Sequence, residues 1–220
     1  MSKHIKKAAL IFAAVFISQF VLAHNINNAL KDAPVNEVAG FYLQLGFKHI
    51  IPLGADHILF IVGLCLLQTS FKNILWQATA FTLAHTITLA FSMKGIVVAP
   101  PALIEPIIAL SIAFVAVENF FITAVKPWRL LLVFVFGLVH GLGFASVLNE
   151  IGLPPDRFTS AILFFNLGVE LGQVAVIALF FLLLALPFKK RKWYDKAIVY
   201  PLSGLIACIA FYWTIERMMS

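Results

Sequence analysis

Six apolar stretches, at about 50–68, 73–93, 102–125, 129–148, 158–187 and 197–218, dominate the chain and leave only short polar connections between them. At about 1.5 Å per residue, each is long enough to cross a hydrocarbon layer of about 30 Å. Backbone in lipid must satisfy its own hydrogen bonds, so stretches of this kind fold as helices. The 220 residues are 62% hydrophobic and 12% charged, with a mean hydropathy of +0.98. Soluble domains hold roughly 45–50% apolar and about 25% charged residues, so the excess rules out an ordinary globular core. The sequence predicts an all-α, polytopic membrane protein with six transmembrane helices. The fifth stretch is the longest and is expected to tilt or to extend past the membrane surface.

The N-terminus has the layout of a targeting segment. A basic "MSKHIKK" precedes the apolar "AALIFAAVFISQF" and a small-residue "VLA" pattern. The apolar part is short for a span, which favours a cleaved signal peptide over residues 1–23 rather than an uncleaved anchor. Residues 24–49 then form an external segment and residues 50–220 the transmembrane domain, with "EVAGFYLQLGFKHIIPLG" suiting a short interfacial helix that runs into the first span. With that start outside, the cytoplasmic loops hold Lys72, Lys126, Arg129, Lys189, Lys190, Arg191, Lys192 and Lys196. Lys31, Lys48, Lys94, Arg157 and Arg217 fall outside. Short basic loops stay in the cytoplasm, so the dense "KKRKWYDK" loop predicts an N-out, C-out topology. The net charge of +6 then reflects loop lysines and arginines, and no nucleic-acid partner is needed to explain it. Cys65 and Cys208 lie in apolar runs, form no CxxC pair and read as small buried hydrophobes.

This topology gives each intramembrane polar residue a depth. Asp56 and His57 open the first stretch in its outer half, in "GADHILFIVGL". His85 and His140 lie in the outer halves of the second and fourth stretches, and Asn166 and Glu170 in the outer to middle part of the fifth. Glu118 and Asn119 lie deeper on the third. Each has an ordinary reading taken singly: an interhelical hydrogen bond for a histidine, helix–helix contact for Asn166 and Asn119, a protonated or histidine-paired carboxyl for Glu118. Taken together they are harder to dismiss, because ionisable groups inside spans usually mark function.

Neutral imidazoles with one or two carboxylates suit a borderline divalent ion such as zinc, nickel or cobalt. The expected ligands are Asp56, His57, His85, His140 and Glu170, with Glu118 deeper and with Asn166 and Asn119 as supporting neighbours. Gly137 and Gly141 flank His140, and Gly168 and Gly172 flank Glu170, a spacing that lets helices approach closely. Thr82, Thr86, Thr88, Ser111 and Ser146 stand near these residues, either orienting imidazoles or bonding their own helix carbonyls. No HExxH, GxSxG or phosphate-binding loop occurs, while metal-activated water, with a histidine-rich site and a carboxylate as base, stays open to the chain.

The blocks "GADHILFIVGL", "FTLAHTITLA", "IEPIIALSIAFVAVEN", "FGLVHGLGFAS" and "FNLGVELGQ", in that order, resemble the HupE/UreJ family of bacterial membrane proteins. The resemblance runs from about Gly46 to Gln173 and implies a multi-pass protein of the bacterial inner membrane, with a cleaved signal peptide and six spans. It also implies nickel or cobalt permeation, with Asp56 and His57 in the metal-handling motif. The nickel-permease form of that motif reads HPxxGxDHxxxM. Gly54, Asp56 and His57 match it, whereas Ile50, Ile51 and Ile61 stand at the His, Pro and Met positions, with His49 one place away. The chain thus resembles a second branch of the family. Its expected partners are the lipid bilayer and a transition-metal ion. The leading function is a divalent-metal permease, and the alternative is an intramembrane zinc-dependent hydrolase in which Asp56 or Glu170 activates water. A structural assembly factor holding a stabilising metal is a third reading.

Overall fold

The computed structural model describes residues 33–67, 70–122, 126–151 and 155–219, and among them no strand occurs. The expected signal peptide and the first part of the external segment lie outside the described residues. Helix α1 spans Val35–Ile50, α2 Ala55–Leu67, α3 Phe71–Met93, α4 Pro101–Phe121, α5 Trp128–Ile151, α6 Phe158–Phe188 and α7 Asp195–Met219. Helices α3 to α7 match the second to sixth expected spans to within a few residues and are each long and apolar enough to cross a membrane. The polarity of the bundle is that of a protein in lipid. Leu83, Leu131, Leu163, Leu182 and Leu205 are exposed on its outside, while histidine, glutamate, arginine and asparagine side chains are buried within.

The first expected span departs from a single helix over 50–68. Helix α1 stops at Ile50, α2 starts at Ala55, and the two are bent by 65°. Pro52 has no N–H to continue a helix and disfavours helical backbone at the residue before it, Ile51, which is extended. A Cβ on Gly54 would meet the His49 carbonyl, so the return of the chain toward α1 requires glycine there.

Three closely packed pairs, α1 with α6, α3 with α5 and α4 with α7, surround the short helix α2, which touches α3, α4, α6 and α7. A helix that is apolar all round belongs in the interior, and α2 buries His57, Phe60, Ile61, Gly63, Leu64, Cys65 and Leu66. Helix α1 runs parallel to α6, with Gly46 against the Phe165 backbone and Ile50 against Gly172. Helix α2 runs parallel to α4, with Gly63 against Val115 and its carbonyl accepting from Asn119. Taken together as one bent crossing, α1–α2 makes the sixth candidate span beside the five long helices.

Candidate metal centre

The break brings His49, at the end of α1, against His57, at the start of α2, with ring centroids 4.7 Å apart. His85 reaches the same point from α3, 5.9 Å from both. His140 comes from α5, where a Cβ on Gly141 would meet the His85 carbonyl, and its ring lies 5.2 Å from His57. One ring nitrogen from each of His49, His57 and His85 falls within 4.8 Å of the others. Nitrogens sharing one ion at bonds of about 2.0–2.1 Å stand about 3.3 Å apart, so side-chain shifts of about 1 Å complete such a site.

Two neighbours fix which nitrogen of the imidazole carries the proton. Asn166 donates from Nδ2 to the Ile162 carbonyl at 2.8 Å, which turns its Oδ1 toward His85 Nδ1 at 3.2 Å. An amide oxygen only accepts, so His85 is protonated on Nδ1 and keeps a lone pair on Nε2. Ser111 gives its single proton to the Ile108 carbonyl at 2.7 Å and lies 3.0 Å from His140 Nε2. It can only accept there, so His140 is protonated on Nε2 and keeps a lone pair on Nδ1. Nε2 of His49, His57 and His85 and Nδ1 of His140 are all buried without a hydrogen-bond partner among the described residues. Buried nitrogens are normally satisfied, so three imidazoles that each bring a nitrogen within 4.8 Å of the others, with the His140 ring beside them, fit a transition metal.

The surroundings are asymmetric. On one side lies a cavity of about 390 Å³, with His49, His57 and His140 in its wall and Asp56, Glu105 and Arg217 around it. On the other, Phe81 stands edge-on to His57 and His140 at 5.7 and 4.9 Å, and Phe60 lies 5.1 Å from Phe81 and 5.5 Å from His140. Phe136 closes on Phe60 at 6.0 Å.

Of the residues expected from sequence, His57, His85 and His140 converge, and Asn166 supports His85. The carboxylates are placed elsewhere. Asp56 turns from the imidazoles to Arg217, whose Nη2 lies 3.0 and 3.1 Å from its two oxygens. Glu118 pairs with Arg129 at 3.2 Å, Glu170 accepts from Thr79 at 2.6 Å, and Asn119 donates to the Gly63 carbonyl and to Ser203. Thr82, Thr86 and Thr88 bond carbonyls of their own helix. His49 was not among the expected ligands. Its one signal is its position just before the motif, which becomes meaningful only once the helix is broken at Pro52.

A family model described as HupE / UreJ protein matches residues 25–217. The chain belongs to the HupE/UreJ family. No curated protein and no solved structure matches it. The HupE/UreJ family is associated with nickel and cobalt transport, and the histidine cluster accords with transition-metal handling.

Proposed function

We propose that the chain is a permease of the bacterial inner membrane that carries a nickel- or cobalt-like divalent ion through a site built from His49, His57, His85 and His140. The convergence of three buried imidazoles and the half-buried His49 at a helix break, each with an unpartnered ring nitrogen, carries this reading. Many transporters place their binding sites at discontinuous helices, where the helix ends and the broken backbone face the substrate. In the N-out, C-out orientation expected from the basic loops, the cavity faces outward, with Asp56, Glu105 and Arg217 around it. Beyond the phenylalanine layer, Glu118 offers a charge on the far side of the site once its contact with Arg129 opens.

A second reading draws on the same asymmetry. A centre beside a cavity of small-molecule size also suits a resident zinc ion activating water, with Asp56 able to act as base once Arg217 releases it. Glu170, bonded to Thr79, does not line that cavity. Full-length protein in liposomes loaded with a metal-sensitive dye separates the two. Permeation predicts a cobalt or nickel signal that His57→Ala abolishes. Tight binding of zinc with no flux of zinc, nickel, cobalt or manganese would overturn the permease in favour of the hydrolase.

A further inference from the structure

The cavity mouth carries an arginine where a cation path would be expected to carry only carboxylates. Arg217, in the last turn of α7, bridges three elements. Its Nη2 binds both oxygens of Asp56 on α2, its Nη1 donates to the Glu105 carbonyl on α4 at 3.2 Å, and its guanidinium lies 5.3 Å from the centre of the Trp213 ring. The Asp56–Arg217 side chains are 25% and 20% exposed, so water and ions reach the pair. A fixed positive charge beside the histidine site opposes an incoming cation unless it is neutralised or moves.

We infer that Arg217 is a tethered counter-ion that selects divalent over monovalent cations at the mouth, giving up Asp56 only to an ion of higher charge. A tethered guanidinium is present at high effective concentration and meets a carboxylate through directed N–H bonds, which sodium or potassium lacks. A divalent ion has twice the Coulomb attraction for Asp56 and takes it. The displaced guanidinium keeps the Glu105 carbonyl and the Trp213 face, two neutral contacts that hold it at the mouth. Asp56 is adjacent to His57 in the chain, and the ion held there is at the wall of the histidine site. This rests on the metal-handling reading of the histidines and adds to it the residue that sets the class of ion admitted.

The test is a cobalt(II) titration of purified full-length protein in detergent, read both by bound metal and by tryptophan emission. Trp213→Phe identifies the Trp213 signal against Trp76, Trp128 and Trp193. Wild type should show a Trp213 response on cobalt binding, and sodium chloride should compete no better than choline chloride at equal ionic strength. Arg217→Gln should bind cobalt roughly 3- to 5-fold more tightly, the scale of a partly exposed ion pair removed as competitor. Sodium should now compete where choline does not. Arg217→Lys keeps the charge and should restore the wild-type indifference to sodium, which a merely structural role for the arginine would not produce. Cobalt affinity and sodium insensitivity unchanged in Arg217→Gln, or cobalt binding in wild type without a Trp213 response, would overturn the selector and leave the histidine site standing. If no variant binds cobalt, the metal-handling reading fails and the selector fails with it.

Discussion

Two hydrogen bonds, rather than anything in the imidazoles themselves, decide which nitrogen of His85 and of His140 keeps its lone pair. Asn166 and Ser111 each spend their donor capacity on a helix carbonyl and so present an acceptor to the ring, which fixes the lone pair on the nitrogen that faces the cluster. Removing that constraint leaves the ring free to choose the other tautomer or to rotate. Asn166→Leu and Ser111→Ala should therefore each weaken cobalt or nickel binding by about 10- to 100-fold while the helical content is kept, as read by metal titration beside circular dichroism. Equal affinities would mean that the tautomers are not set in this way. At this scale the sequence was legible in part. Depth in the membrane singled out His57, His85, His140 and Asn166, because residues on neighbouring spans at one depth meet. It did not sort the carboxylates, since a charge inside a span reads the same whether it faces a metal or an arginine. Arg129 and Arg217, read from sequence as loop or end charges, turn inward to Glu118 and Asp56.

Among the elements, the bent α1–α2 crossing matters most. Residues 50–68 satisfy the length and hydropathy of an unbroken span, and those averages outweigh the local message of Pro52 and Gly54, which are ordinary helix breakers. The break moves His49 from the end of an external segment into the centre of the bundle. It is held there by α1 packing on α6 at backbone contact, where a Cβ on Gly168 would meet the Leu43 carbonyl and one on Gly46 the Phe165 carbonyl. The glycine pair around Glu170 thus admits α1, and the close approach it provides serves His49 rather than Glu170. Gly168→Leu should push α1 away, destabilising the protein by about 1–3 kcal/mol and lowering metal affinity with it. Thermal unfolding followed with and without cobalt checks both. A variant that keeps wild-type affinity would separate His49 from the site.

Across the whole molecule, the histidine cluster lies between two arginine–carboxylate pairs of opposite character. Asp56–Arg217 borders the cavity and is partly hydrated, whereas the Glu118 and Arg129 side chains are only 5% and 1% exposed. Along α4, Glu118 is seven residues beyond Ser111, about 10 Å farther from the mouth. The layer of Phe60, Phe81 and Phe136 packs around His140 from below. Among the described residues the cavity thus lies on the Asp56 side and the buried pair on the Glu118 side, and on the permease reading an ion passes only when the phenylalanines and that pair part. The arrangement of spans that makes this possible was legible from hydropathy alone, whereas the direction of access was not, because it depends on which side chains meet across helices. Metal held by the imidazoles underlies the permease reading. X-ray absorption at the cobalt edge of the cobalt-loaded full-length protein tests that most directly. A nitrogen shell with the outer scattering of at least three imidazoles, reduced by one in His49→Ala, is the predicted result. A shell of oxygen alone, or a spectrum that His49→Ala leaves unchanged, would contradict it.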